Sequence, residues 1–208
     1  AAAGDVPGNH VSRILEEYRR TGGDFADADR LAAFTLSFFR QAAGLAPVQP
    51  DPALSRAAAA HAGYLAANMQ SGRRHPPHGE FRDGYGFTGE TVADRARLAG
   101  YTAADAVAQL VGFEGNPASC IAAWMTGIHH RRILLDPAAS RIGFGSAIFA
   151  YSDSSGVGVS VVGLQGTPGT PRPRRWPAAL PLWPLWDGRE EPRLLDPAQG
   201  PYGPPLSL

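Results

Sequence analysis

Residues 116–145 read NPASCIAAWMTGIHHRRILLDPAASRIGFG, and the change of period inside this stretch decides the fold class. Asn116-Pro117 is a helix opening. An Asn side chain accepts from the first free N–H groups, and a Pro in the first turn forfeits only an N–H that would be unpaired there anyway. Ile121, Trp124, Met125 and Ile128 then recur at helical spacing and predict one helix that ends near His129-His130. After Asp136-Pro137 the pattern turns to β-branched and aromatic residues with partial alternation, in RIGFGSAIFAY (141–151) and VGVSVVGL (157–164). With Asp153–Gly156 as the turn, this predicts two antiparallel strands. Helices first and paired strands later define an α+β chain, with helices layered on a sheet.

Upstream, Val11, Ile14, Leu15 and Tyr18 predict a peripheral helix over 9–20, stopped by Thr21-Gly22-Gly23. Leu31, Phe34, Thr35, Phe38 and Phe39 form the apolar face of a second helix over 28–43. Asp51-Pro52 opens a third, to about Gln70, which buries Leu54, Ala58, His61 and Leu65. Residues 71–90 (SGRRHPPHGEFRDGYGFTGE) read as a long ordered loop, and such loops are often functional. A short helix follows over Thr91–Ala99. Thr102–Asp105 resembles a capping box, and a helical or irregular segment is expected from there to Phe113. From Thr167 onward Pro dominates, which predicts an extended tail docked through Trp176, Trp183 and Trp186. The expected organisation is an N-terminal helical extension (1–28), a central domain (29–166) and a Pro/Trp-rich tail (167–208).

The chain has 208 residues with 19 basic and 19 acidic side chains; every basic one is Arg. A balanced charge argues against nucleic-acid binding. A single cysteine, Cys120, excludes an internal disulfide and four-cysteine zinc sites. Cys120 reads as a buried structural thiol. No eighteen-residue apolar run is present, and Pro177, Pro181 and Pro184 interrupt 176–186, so no transmembrane segment is expected. A start at Ala1-Ala2-Ala3-Gly4 fits a mature chain whose signal peptide has been removed, or a shortened one. There is no HExxH, GxSxG or phosphate-loop motif.

Five segments, in order, carry a resemblance: LSFFRQAAGLAPVQPDPAL (36–54), AAAAHAGYL (57–65), HGEFRDGYGFTGETVADRARLAGY (78–101), 116–137, and RIGFG (141–145). Together they resemble bacterial members of the CAP superfamily. These are SCP-like extracellular proteins related to cysteine-rich secretory, antigen 5 and pathogenesis-related 1 proteins. The resemblance implies an α-β-α sandwich, an extracellular or cell-envelope location, and a central cleft of two His and one or two Glu that in some members binds a divalent metal. The cleft His residues fall at His78 and His130. The first cleft Glu is replaced by Gln109, and the family's usual Asn after the first-helix Leu is Ser37.

His78 and His130 are therefore the candidate ligands for Zn²⁺ or another divalent metal, and His78, Glu80, Gln109 and His130 the candidate ligand-binding set. A protein zinc site usually has three or four ligands, and a neutral amide is a weaker partner than a carboxylate. Glu80 or Glu114 is a candidate replacement, and His75 an alternative to His78. His61 reads as a packed core residue, His129 as a rim residue, and Arg95 as an anchor for the loop. The leading expectation is a non-catalytic, monomeric binding module for a small, lipidic or peptide ligand or an envelope partner. The alternative is a metal-dependent hydrolase built on His78, His130 and either Glu80 or Glu114; a further hydrolytic reading is general-base chemistry, in which His78 or His130 activates water and Glu80 orients it.

Overall fold

The computed structural model describes residues 7–73, 75–104, 106–114, 116–148 and 156–164. The expectations about Asp105, the 153–155 turn and the tail with Trp176, Trp183 and Trp186 lie outside these residues. The chain runs α1 (Pro7–Arg20), α2 (Ala28–Ala42), β1 (Gln49–Pro50), α3 (Pro52–Gln70), α4 (Val92–Leu98), β2 (Val107–Gly112), α5 (Pro117–Thr126), α6 (Ile128–Leu134), β3 (Arg141–Ile148) and β4 (Gly156–Gly163). The four strands form one sheet of order β1-β3-β4-β2. β4 is central and antiparallel to both long neighbours: Arg141 and Val107 flank Gly163, and Ser146 and Gly112 flank Gly158. β1 adds a short parallel edge to β3.

Side chains that alternate across the sheet feed two cores, one per face. Ile142, Phe144, Val162 and Leu110 pack with Leu36, Phe39, Ile121 and Trp124 of α2 and α5. Val157, Val159 and Val161 pack on the other face with Leu54, Ala58, Ala62 and Leu65 of α3 and with Ala96 of α4. Each fully buried aliphatic or aromatic side chain contributes about 1.5–3 kcal/mol. The result is a helix–sheet–helix sandwich, as the sequence implied.

The helix starts follow the local chemistry. The Asp51 carboxylate accepts from the Ala53 and Leu54 N–H groups at 2.9 and 3.2 Å, with Pro52 in the first turn. Asn116 does the same for Ala118 and Ser119. Thr91 and Asp94 form a reciprocal capping box at α4. Gly143 and Gly145 of β3 let α3 lie directly on the sheet; a Cβ at either position would fall on the α3 backbone, at Leu54–Ser55 and at Ala58–Ala59.

Two polar side chains, one of them fully buried, tie α2 down. Arg40, fully buried on α2, donates to the carbonyls of Ala46, Leu134, Asp136 and Ala139 at 2.7–3.0 Å. Burial pushes this guanidinium down to about 10, so it is still charged at neutral pH. The Ser37 hydroxyl accepts from the Val48 N–H at 3.1 Å and so holds α2 to the chain entering β1.

Three expectations are corrected. The segment before Phe113 is strand β2, not helical or irregular, and residues 102–104 form a turn ahead of it. Its sequence, VAQLVG, gives Leu110 to one core and Val107 and Val111 to the other, so the period of two is hidden. The single helix expected from Pro117 to His130 is two helices. Gly127 is extended (φ −87°, ψ 129°) and restarts the chain as α6, which places His129 and His130 in its first turn. Finally, α1 is not peripheral: Ile14 is wholly buried in the α2–α5 core, and Tyr18 is buried against Leu31 and Ala118.

Candidate functional site

The loop between α3 and α4 is shaped by a buried carboxylate. Glu80 Oε1 accepts from His61 Nδ1 at 2.8 Å, and Oε2 accepts from the Thr88 and Gly89 N–H groups at 2.6 and 3.2 Å. The Thr88 hydroxyl adds a contact at 3.1 Å. Burial works to raise the Glu80 carboxyl, but the His61 and Thr88 hydrogen bonds and the nearby Arg95 charge outweigh it and hold the group below the usual carboxylate range. The other nitrogen of His61, Nε2, faces the Pro77 carbonyl at 2.9 Å. Both ring nitrogens thus meet acceptors, an arrangement that the doubly protonated ring serves in full. His61 is a core residue on the α3 stripe, as its spacing predicts, and it also anchors the loop.

This placement removes Glu80 from the cleft. Its side chain has no exposure, and its oxygens are occupied by the loop's own donors, so it is not placed to orient a water or to bind a ligand. Sequence reasoning missed the pairing because His61 and Glu80 stand on different elements. The visible hint is the Glu80…Thr88-Gly89 spacing within a Gly-rich loop.

Arg95 joins the loop to the sheet. From α4 it donates to the Gly89 carbonyl at 2.8 Å, the His78 carbonyl at 3.1 Å and Gln109 Oε1 at 2.7 Å. Its Nε lies 3.7 Å from Glu80 Oε1, an ion pair in a setting where both side chains are almost fully buried. Gln109, buried on β2, turns its amide nitrogen toward His78 Nδ1 at 3.4 Å. His78 and Gln109 are therefore brought together.

His130 approaches the same region from α6. Its Nδ1 sits 3.3 Å from where a Cβ at Gly127 would stand, so the helix break that Gly127 makes also leaves room for the ring. His78 titrates below the usual histidine range, through desolvation first and then through His61, His130 and Arg95. His130 is lowered by desolvation and by His129. His130 thus lies near enough for its protonation to bear on His78, and both rings give up a proton more readily than a free imidazole.

The remaining candidates fall elsewhere. Glu114 is exposed; its carbonyl takes the Cys120 thiol, which burial raises to about 12, the inert structural thiol expected from sequence. His75 Nδ1 bonds the Tyr64 hydroxyl at 2.6 Å and does not replace His78. His129 is exposed. Beside the His78 loop lies an apolar hollow of about 490 Å³, whose walls include Leu65, Met69, Pro77, Val111 and Phe113. Val111 is two residues along β2 from Gln109 and on the same face, so the hollow lies close to the polar cluster.

The donor set does not fit a divalent metal. The side-chain oxygen beside His78 is that of Gln109, and the Arg95 guanidinium already holds it. Among the described residues, no group of three or more His, Cys, Asp or Glu side chains is placed to hold a metal ion. Also among them, no helix is long and apolar enough to cross a membrane.

The sandwich, its sheet order and the loop-borne histidine define a class of fold that comparison with known proteins identifies. The model of the CAP, cysteine-rich secretory protein family matches residues 35–163, and the chain belongs to that family. Among solved structures, an outer surface protein from Borrelia burgdorferi is similar in fold. It has 15% identity and a TM-score of 0.51 over 68% of this chain and 96% of that one. An extracellular SCP-domain protein from Bacillus anthracis matches at 13% identity and a TM-score of 0.46, over 64% of this chain and 40% of that one. No curated protein matches.

Proposed function

We propose that this CAP domain is an extracellular, non-catalytic binding module. Its cleft pairs a polar end, His78, Gln109 and His130, with the apolar hollow that Leu65, Met69, Val111 and Phe113 line. That combination suits a small ligand with a polar head and an apolar body, such as a peptide or a lipid. One observation carries the reading: Arg95 lies 2.7 Å from the Gln109 oxygen. The position where the resemblance expects an acid holds a neutral amide capped by a cation. An amide does not accept a proton in catalysis, and the capped oxygen is closed to a metal. Glu80, the other candidate carboxylate near the loop, is engaged within it.

Two measurements test this. Calorimetric titration of the protein with Zn²⁺ is expected to show no binding tighter than about millimolar, because a stable zinc site needs three or four ligands. A panel of ester, peptide and glycan substrates is expected to show no turnover above that of the His130→Ala variant. Tight Zn²⁺ binding abolished by His78→Ala, or turnover abolished by His130→Ala, overturns the proposal in favour of a metal-assisted hydrolase.

A further inference from the structure

The Arg95–Gln109–His78 chain sets the polarity of the cleft. A guanidinium only donates, so the Arg95 contact fixes which end of the Gln109 amide is oxygen. The amide nitrogen is then the group that faces His78 Nδ1. An NH₂ group donates and has no lone pair to offer, so Nδ1 of the neutral ring takes the acceptor role and the ring proton sits on Nε2. We infer that Arg95 and Gln109 hold His78 as the Nε2–H tautomer, so that the cleft offers a donor to an oxyanion of the ligand, a carboxylate or phosphate, instead of a lone pair to a cation.

The surrounding charges agree with that polarity. Arg95 is cationic, and Glu80 is the carboxylate set against it. The cluster behind His78 therefore carries no net negative charge to draw a divalent cation, and the Arg95 guanidinium on the Gln109 oxygen favours an anionic head. A carboxylate at position 109 would reverse the relay. It would accept from Nδ1–H and leave the Nε2 lone pair facing outward, the state that a metal requires. Residue 109 thus determines whether the same pair of histidines selects for oxyanions or for cations.

This inference rests on the binding reading of the cleft, but the tautomer is read without any ligand, so the two fail separately. The protein labelled with ¹⁵N is examined by long-range nitrogen–proton correlation at a pH where His78 is neutral. The expected result is Nε2–H for His78 in the wild-type protein and Nδ1–H in Gln109→Glu, whose amide spectrum reports whether it is folded. Acetate and inorganic phosphate are then titrated separately against sodium chloride at equal ionic strength, which distinguishes a carboxylate from a phosphate ligand. At least one is expected to shift the His78 resonances beyond the chloride control, with affinity at least tenfold lower in Gln109→Glu. Nδ1–H in the wild-type protein overturns the inference, as does an unreversed tautomer in folded Gln109→Glu. A His78 response to both anions no larger than that to chloride overturns it from the wild-type protein alone.

Discussion

Replacing Glu80 tests how the loop that carries His78 is held. Glu80→Leu keeps the bulk and removes both oxygens. The Thr88 and Gly89 N–H groups, at 2.6 and 3.2 Å, then lose their acceptor in a buried setting, and so does His61 Nδ1 at 2.8 Å. Each orphaned donor costs about 1–3 kcal/mol, and a buried cation that loses its partner adds to this. Arg95, 3.7 Å from the carboxylate, is such a cation. Relaxation of the loop recovers part of the sum, so the expected loss is about 3–5 kcal/mol, a large share of the roughly 5–15 kcal/mol that stabilises a typical domain. Glu80→Gln is expected to be milder, about 1–3 kcal/mol. Its oxygen still meets the backbone donors, and its NH₂ donates to a His61 Nδ1 that carries no proton. Urea unfolding followed by tryptophan fluorescence measures both, with unchanged m-values as the check on two-state behaviour. The acid limb gives an independent readout. Because the folded-state carboxyl is held below its ordinary value, its contribution is present in full above about pH 4.3 and is lost as pH falls through the folded value. Glu80→Gln should lack that part of the slope. A loss below about 1 kcal/mol for Glu80→Leu, or equal losses for the two variants, would refute the assignment of Glu80 as the organising acceptor.

Three further outcomes are expected. Gly145→Ala forces a Cβ onto the α3 backbone at Ala58–Ala59 and should destabilise by about 1–3 kcal/mol or more in urea, whereas Gly63→Ala, in open space on that helix, should not. Arg40→Met leaves four inward carbonyls without their donor and should lose about 3–5 kcal/mol; a thermal midpoint within a degree or so of the parent would show that the clamp is dispensable. His78 and His130 are both depressed, so the folded state binds fewer protons than the unfolded one below about pH 6.5, and stability should fall as pH drops from there through the folded values. His78→Gln and His130→Gln should each flatten that limb, measured as urea midpoints against pH; a slope unchanged in both would mean that neither ring is desolvated.

The parts of the fold legible in the sequence are those governed by local chemistry. Asp51-Pro52 and Asn116-Pro117 announce their helices because capping is settled within three residues. The β3–β4 pair shows through its β-branched content. β2 did not, because VAQLVG sends apolar side chains to both cores and its Ala and Leu suit a helix equally well. The break at Gly127 was hidden for a related reason: Ile128 continues the apolar stripe of Ile121, Trp124 and Met125, and nothing local distinguishes a glycine inside a helix from one that restarts it. At the site, the resemblance pointed to His78, Gln109 and His130, of which His78 and Gln109 meet, but the role of Glu80 depends on His61, nineteen residues away on another element. Gly143 and Gly145 were visible as strand glycines, while the α3 backbone that requires them was not.

The sequence departure at position 109 and the position of Arg95 have one physical consequence. Arg95 reaches the carbonyls of His78 and Gly89 as well as Gln109, so it is needed to hold the loop whatever stands on β2. With an acid at 109, the guanidinium would lie between two carboxylates, and the group facing His78 would be an anion. With Gln109, Glu80 alone opposes it. The scaffold can therefore stay intact while the charge presented to the cleft changes by one unit, since the exchange of an acid for its amide preserves shape and the Arg95 contact and alters only the field. Loss of a family's acidic group thus does not imply a collapsed site: the loop stays anchored through its own buried carboxylate, and Gln109 still meets both Arg95 and His78.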